Sequence, residues 1–202
     1  MKKKVFDEIV SLKTTERVLR LKKDIFEREG TFFERELLWA EAYQKNKQES
    51  SPELRQAQAL KYLLEKMTIE IGEDELIVGR HPRRIPSASE QKKLNEATKY
   101  LENRIIVSWE GHITLNNERI LKEGLDGIRK RAEKKLKKLR PNFQPEDAEK
   151  ELFYHSAIIA LQTASCFIER YAKKAEKMAE KETSPSRKRE LKNSTFAVGE
   201  TT

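Results

Sequence analysis

The scarcity of chain-breaking residues constrains the fold of this sequence more than any other feature. Its 202 residues include only 7 glycines and 6 prolines, too few for the many turns of a β-sandwich or a barrel of hairpins. Charged residues make up 38% of the chain, with 42 Lys and Arg against 34 Asp and Glu. Such a mixture is typical of the exposed faces of amphipathic helices. The sequence therefore predicts a mainly α protein.

Apolar residues spaced three and four apart, separated by capping and breaking residues, predict where the helices lie. Ser51 is expected to cap a helix whose first residue is Pro52, and Gly30 is expected to end the first helix. The predicted helices span 15–29, 32–45, 52–66, 89–103, 116 or 117 to 139, and 145–182, and a short charged helix follows Ser184-Pro185.

Two stretches change from helical to alternating patterning. Residues 68–79 and 104–109 are short and rich in β-branched residues, which favours extended segments. The prolines within 80–88 exclude a helix there and indicate either a linker or an excursion over the surface. No apolar run approaches the roughly 20 residues of a membrane span, and the start of the chain has no apolar signal core. A single cysteine excludes an intramolecular disulfide. We expect a cytoplasmic protein with no membrane segment.

Few residues suggest chemistry of their own. The acidic residues fall on predicted solvated faces, and His81 and His155 lack the spacing of metal ligands, so no metal site is expected. Cys166 lies within the apolar stripe of the long helix, beside Phe167 and Ile168, and is interpreted as a buried structural thiol. His112 differs because it follows Gly111 in a break between an extended run and a helix, where a histidine can bind a ligand or transfer a proton. A satisfied surface or core histidine remains the alternative.

The net charge of +8 allows an anionic partner. Residues 129–140 carry eight basic residues and one acidic residue, which could contact phosphates. Basic residues at the end of a helix are also favoured by the helix dipole, and this run has no aromatic residue for base stacking. Nucleic-acid binding is therefore the less favoured interpretation.

The order of several short motifs resembles one family over residues 14–192. In chain order the motifs are Thr15-Glu16-Arg17, Glu34-Arg35-Glu36-Leu37-Leu38, Glu41-Ala42-Tyr43, Arg55-Gln56-Ala57, Asp74-Glu75-Leu76-Ile77-Val78-Gly79, Gly111-His112-Ile113-Thr114, Ile120-Leu121-Lys122-Glu123-Gly124-Leu125 and Ile168-Glu169-Arg170-Tyr171. The set is similar to the N-terminal part of glycyl-radical enzymes of the pyruvate formate-lyase type, near the glycerol dehydratase branch. Residues 1–192 are accordingly expected to form a truncated helical part of that domain, with 193–202 as an unstructured tail.

The resemblance implies a helical N-terminal layer of a ten-stranded α/β barrel and a lyase or dehydratase acting on a small molecule. In this family a backbone glycyl radical generates a cysteine thiyl radical, which abstracts hydrogen from the substrate. A radical S-adenosylmethionine activase with an iron–sulfur cluster installs the glycyl radical, and no cofactor is expected on this segment itself. By the same resemblance His112 matches a histidine that hydrogen-bonds substrate hydroxyls.

Departures from the family pattern are equally informative. Nothing matches the Gly-Cys block of the catalytic thiol, and Gly199 lacks the arginine and tyrosine that flank the radical glycine. Asn116-Asn117 stands where dehydratase-like members often carry Asp-Tyr, so the substrate stays open. We therefore expect no catalytic residue and no activity from the segment alone, and no productive binding of the activase. The alternative is a helical interaction module that self-associates as a homo-oligomer or pairs with a complementary C-terminal chain.

Overall fold

The computed structural model describes residues 14–49, 51–102, 115–139, 141 and 143–199. Seven α-helices lie in these ranges: α1 Glu16–Glu27, α2 Glu34–Lys45, α3 Pro52–Lys66, α4 Ala88–Glu102, α5 Asn117–Leu139, α6 Ala148–Lys181 and α7 Pro185–Gly199. A short 3-10 turn, Pro145–Asp147, leads into α6. The mainly helical fold expected from the sequence is confirmed, and α3 has the predicted bounds.

Local capping explains why α3 begins where it does. The Ser51 hydroxyl accepts a hydrogen bond from the Leu54 N–H at 3.2 Å, and Pro52 occupies the first helical position, where its missing N–H costs nothing. Thr15 caps α1 in the same way through the Val18 N–H. These caps are encoded within four residues and were readable from the sequence.

Helix α6 is the longest of the described helices and lies at the centre of their packing. Its 34 residues extend over roughly 50 Å at about 1.5 Å per residue, and it packs against α3, α5 and α7, while α2 packs on α3 and α4. Its C-terminal part contributes the buried Tyr171, Ala175 and Ala179. Its first fifteen residues, 148–162, include no buried residue. The C-terminal part of α6 is therefore well covered by described elements, whereas its N-terminal part is not.

The core consists of two clusters joined by Phe167, which packs against both. The larger lies between α2, α3 and α4, and its buried residues are Phe33, Leu37, Trp39, Ala40, Ala42, Ala59, Leu63, Met67 and Ala97. The smaller joins α6, α7 and the loop before α4 through Ile71, Tyr171, Ala175, Ala179 and Leu191. Small alanines at the helix contacts let the helices approach closely.

Residues 68–79 form no β-strand within the described part of the chain. They run as an irregular loop with a turn at Glu73-Asp74, and an isolated antiparallel bridge instead pairs Thr31 with Arg84. The other expected extended segment, 104–109, lies outside the described residues.

Two helical boundaries differ from those expected. Helix α5 is interrupted at Gly124, whose φ of 64° and ψ of 176° are accessible essentially only to glycine, whereas the sequence predicted an unbroken helix. An unstructured tail was expected from residue 193, but helix α7 continues to Gly199. The helix can continue because no proline or further glycine interrupts the chain between Pro185 and Gly199. The domain bounds themselves stay a prediction.

Candidate functional site

His112, the one residue expected to bind substrate, lies outside the described residues together with Gly111. Its role stays a prediction. The described chain resumes at Leu115, and Asn116 caps α5 by accepting a hydrogen bond from the Arg119 N–H at 3.0 Å. The segment that carries His112 therefore joins a well-formed helix start.

Cys166 lies on α6 and is exposed, so the prediction of a buried structural thiol is wrong. The apolar stripe of α6 extends further around the helix than the described neighbouring helices cover. Burial inferred from an apolar stripe requires a partner for the whole stripe, and here part of the stripe faces outward.

A mainly apolar cleft lies between the end of α1, the start of α2 and the loop after Gly79. Its volume is about 440 Å³, within the range of small-molecule sites. It is lined by Asp24, Ile25, Arg28, Phe32, Arg35, Glu36, Arg80, His81 and Arg83. Four guanidinium groups against two carboxylates give this lining a positive balance. We refer to it as the Arg83 cleft.

Asp24 organises one side of the Arg83 cleft. One of its carboxylate oxygens accepts from Arg28 at 3.0 Å and the other from Arg80 at 2.8 Å. Partial burial disfavours the ionised carboxylate, but the hydrogen bonds and charges of the two arginines outweigh it, so the pKa of Asp24 is lowered. Behind this group, Arg28 also pairs with Glu70 at 3.1 Å and Arg80 with Glu75 at 2.8 Å. Arg28 and Arg80 are therefore already neutralised by carboxylates.

Arg83 is held differently. Its guanidinium donates to the backbone oxygen of Ile25 at 3.0 Å and to that of Gly30 at 3.3 and 3.4 Å, which satisfies carbonyls at the end of α1. The guanidinium also lies 5.4 Å from the centroid of the Phe32 ring. His81 meets the same ring edge-on, with 6.3 Å between centroids. An oriented cation, an aromatic face and an imidazole thus share one wall of the cleft.

The loop that carries these residues is fastened to the long helices. Arg170 and Lys174 of α6 donate to the backbone oxygens of Leu64 and Ile69, and the Tyr171 hydroxyl donates to that of Arg80 at 3.3 Å. Burial is the main reason why the pKa of Tyr171 is raised. The loop is therefore positioned by side chains about a hundred residues later in the chain.

The other candidate residues are not brought together. His155 lies on α6 with Glu151 as an ionic neighbour, at 3.7 Å, and His81 lies in the Arg83 cleft. No group of three His, Cys, Asp or Glu side chains that could hold a metal ion occurs among the described residues. No helix in the described ranges is both long and apolar enough to cross a membrane.

The basic run ends α5, where most of its lysines are exposed. Two arginines of the run are paired: Arg131 lies 2.9 Å from Glu123, and Arg129 donates to Asp126 at 3.2 Å and to Glu133 at 2.6 Å. These hydrogen bonds raise the pKa of Arg129. The run is thus partly neutralised at its start and solvated further on.

Sequence reasoning missed the Arg83 cleft because it treated residues 80–88 as a linker. A signal was present, since Arg80, Arg83 and Arg84 cluster among prolines in a segment that cannot be helical. What the sequence alone does not show is that this segment folds back onto α1, more than fifty residues earlier.

The described fold defines an all-α protein whose longest helix carries an apolar face that its described neighbours leave uncovered. The family model described as pyruvate formate lyase-like matches residues 7–104 and 88–194. The chain therefore belongs to the pyruvate formate lyase-like family, which confirms the family expected from the ordered motifs.

Curated relatives are enzymes of the glycyl-radical type. The chain is 41% identical over 81 residues to the (2S)-3-sulfopropanediol dehydratase of Klebsiella oxytoca, an alignment that covers 40% of this chain and 10% of that protein. It is 40% identical over 74 residues to the isethionate sulfite-lyase of Desulfovibrio desulfuricans, covering 37% of this chain and 9% of that protein. The alignments span only a small part of each relative.

Solved structures show the same fold. The glycerol-bound B12-independent glycerol dehydratase from Clostridium butyricum superposes with a TM-score of 0.78 at 24% identity, covering 93% of this chain and 31% of that one. A glycyl radical enzyme from Archaeoglobus fulgidus superposes with a TM-score of 0.76 at 22% identity, covering 91% and 30%. This chain thus spans about a third of these neighbours, which fits a helical N-terminal part.

Proposed function

We propose that this chain is the N-terminal helical part of a glycyl-radical lyase or dehydratase that acts on a small molecule by radical hydrogen abstraction. The observation that carries the proposal is the family match, which continues from residue 7 to residue 194. The fold supports it, because helices along nearly the whole chain superpose on a third of a glycerol dehydratase.

The segment is inactive by itself. Radical catalysis of this kind needs a thiol that abstracts hydrogen and a glycine that stores the radical, and other side chains do not replace them. The single cysteine, Cys166, lies within helix α6, and Gly199 is the last residue of helix α7. Neither position resembles the loop that the family uses for its thiol or its radical glycine.

His112 is proposed to contact the substrate in the complete enzyme by hydrogen bonding to its hydroxyl groups. The activase, an S-adenosylmethionine enzyme, acts only where the remainder of the enzyme supplies the radical glycine. In this proposal the small-molecule substrate and the activase are partners of the whole enzyme, and this segment binds no cofactor.

A second candidate function is that of a helical interaction module. It is favoured by exposed apolar side chains on α5 and α6, where Leu121 is 85% exposed and Phe153 63% exposed. Exposed apolar patches of this kind mark association surfaces. The partner is a second copy of the chain or a complementary C-terminal chain.

Sequencing the DNA downstream of the codon for Lys192, with translation in all three frames, separates the two candidates. The first candidate predicts a frame that encodes barrel strands, a Gly-Cys block and the Arg-Val-x-Gly-Tyr glycyl motif. If no frame encodes them, the first candidate is overturned and the interaction module is favoured.

The interaction module has its own test in light scattering over a range of protein concentrations. It predicts self-association that Phe153→Ser weakens at least about tenfold, whereas Phe26→Ser on α1, a phenylalanine that is also exposed, leaves it unchanged. A chain that stays monomeric at every concentration counts against self-association.

A further inference from the structure

We propose that the Arg83 cleft binds a small organic oxyanion, a carboxylate or sulfonate attached to an apolar or aromatic body. This goes beyond the function proposed above, because the cleft is built from α1, α2 and the loop after Gly79, whereas the proposed function rests on the family match and on the motif at His112.

The charge balance at Arg83 is the first argument. Asp24 pairs with Arg28 and Arg80, and no described carboxylate lies within 4.0 Å of the Arg83 guanidinium nitrogens. The two carboxylates behind the lining, Glu70 and Glu75, pair with Arg28 and Arg80. Arg83 is thus a cation whose bound partners are neutral carbonyls.

The donor count at Arg83 is the second argument. A guanidinium has five N–H donors, and three of its hydrogen bonds go to the backbone oxygens of Ile25 and Gly30. Two N–H groups remain for a ligand. Because the backbone contacts hold the guanidinium in place, an oxyanion meets a preorganised donor and loses little additional side-chain entropy.

The apolar wall is the third argument. Phe32 is 56% exposed and Ile25 is 64% exposed, although both line a cleft of about 440 Å³. A bare inorganic anion would leave these surfaces in contact with water. A ligand that carries an apolar body beside its oxyanion covers them and gains hydrophobic free energy on binding.

His81 limits the shape of the ligand. Its ring stands edge-on to Phe32, so the two rings form a corner with the Arg83 guanidinium above the Phe32 face. A flat ring fits this corner by stacking against Phe32 while its carboxylate or sulfonate reaches Arg83.

The test is an NMR titration of the ¹⁵N-labelled 202-residue chain with four probes: benzoate, benzenesulfonate, benzamide and acetate. We expect saturable shifts of amide signals within residues 25–36 and 80–84 for benzoate and benzenesulfonate, with Kd values on the order of 1 mM, about −4 kcal/mol. Benzamide lacks the charge and acetate lacks the ring, so each should bind at least about fivefold more weakly. Equal shifts with benzamide, or with acetate, would overturn the proposal.

Variants assign the binding to the cleft. Arg83→Met keeps the length of the side chain and should weaken benzoate binding at least tenfold, and Phe32→Ala should weaken it about fivefold without changing the shifts caused by acetate. Arg189→Met, on an exposed part of α7, is the control and should bind as the parent chain does.

Because Arg83 also holds the end of α1, its variant needs a check of folding. Arg83→Lys retains the charge and one donor group, and Phe32→Ala removes no hydrogen bond, so their circular dichroism and thermal unfolding should match those of the parent chain. If both of these folded variants bind benzoate as tightly as the parent chain does, the site is not in the Arg83 cleft and the proposal fails.

Discussion

The guanidinium of Arg187 donates a hydrogen bond to the backbone oxygen of Glu75 at 2.7 Å, across 112 residues of sequence. A second bond from the same side chain reaches the backbone oxygen of Gly72 at 2.8 Å. Buried backbone carbonyls need hydrogen-bond donors. Arg187 of helix α7 supplies such donors to two carbonyls of the irregular loop 68–79. The loop that leads to Arg80 is therefore held by α7, the last of the described helices.

Replacing Arg187 should destabilise the chain strongly. Arg187 is 9% exposed, so Arg187→Ala leaves the buried Glu75 carbonyl without its donor and removes one of the two hydrogen bonds to the Gly72 carbonyl. The free energy of unfolding should fall by about 2–4 kcal/mol. Urea unfolding followed by circular dichroism measures this change. The control is Arg189→Ala on the exposed side of the same helix, expected within about 0.5 kcal/mol of the parent chain; equal losses for both variants would show that the Arg187 contacts contribute nothing specific.

A methyl group at Gly30 should open the bridge between Thr31 and Arg84. Gly30 has a φ of +102°, and an added Cβ would lie 2.5 Å from the Arg84 carbonyl carbon, so Gly30→Ala combines backbone strain with a collision against backbone. Gly79→Ala is the matched control, with a φ of +121° and no atom within 4 Å of the added Cβ. Strain alone should cost about 1–3 kcal/mol at Gly79, and Gly30→Ala should cost clearly more. Equal unfolding free energies for the two variants would contradict the close approach.

Stability should fall in acid through Glu90. Hydrogen bonds from Arg84 and from Ser87 lower the pKa of this carboxyl from 4.5 to about 2. A carboxyl whose pKa is lower in the folded state stabilises that state above pH 4.5, and this contribution is lost as the pH falls towards about 2. Glu90→Gln should therefore be less stable than the parent chain at pH 7, with a difference that shrinks between pH 4.5 and about 2.

The pH prediction is checked by urea unfolding at several pH values. Glu96→Gln, an exposed position on the same helix, serves as the control and should follow the parent chain at every pH. A stability difference for Glu90→Gln that stays constant across this range would contradict the account.

The thiol of Cys166 should react in the folded protein. It is exposed on α6 and is the single cysteine of the chain, so a thiol-specific chromogenic reagent reports on this position alone. We expect a reaction rate without denaturant within about tenfold of the rate in urea, since access to the thiolate limits the rate. A thiol that reacts only after unfolding would restore the buried position that the sequence predicted.

Local signals in the sequence predicted the helices well. The Ser51 cap and Pro52 lie within one turn of the backbone groups that they serve, so the start of α3 was readable. The break at Gly124 was not, since an isolated glycine inside a helical pattern is ordinarily tolerated at a cost of about 1 kcal/mol. Its unusual φ and ψ depend on how the two parts of α5 pack.

Contacts between distant residues were beyond sequence reasoning. The pairing of Arg17 with Glu190 joins residues 173 positions apart, and nothing in either neighbourhood indicates the other. The error at Cys166 has a different cause. An apolar stripe was interpreted as wholly buried, although the described helices cover only part of it. The candidate cleft was missed for the first reason, because its walls come from separate segments.

The most direct test of the account is an electron paramagnetic resonance spectrum of the purified 202-residue chain. The chain is incubated under strict anaerobiosis with S-adenosylmethionine and the activating enzyme of a homologous glycyl-radical dehydratase, with that intact dehydratase as the positive control. The account predicts a glycyl-radical signal from the control alone, and no turnover of glycerol, sulfopropanediol or isethionate by the chain. A radical signal from the chain that disappears in Gly199→Ala, accompanied by turnover, would contradict it.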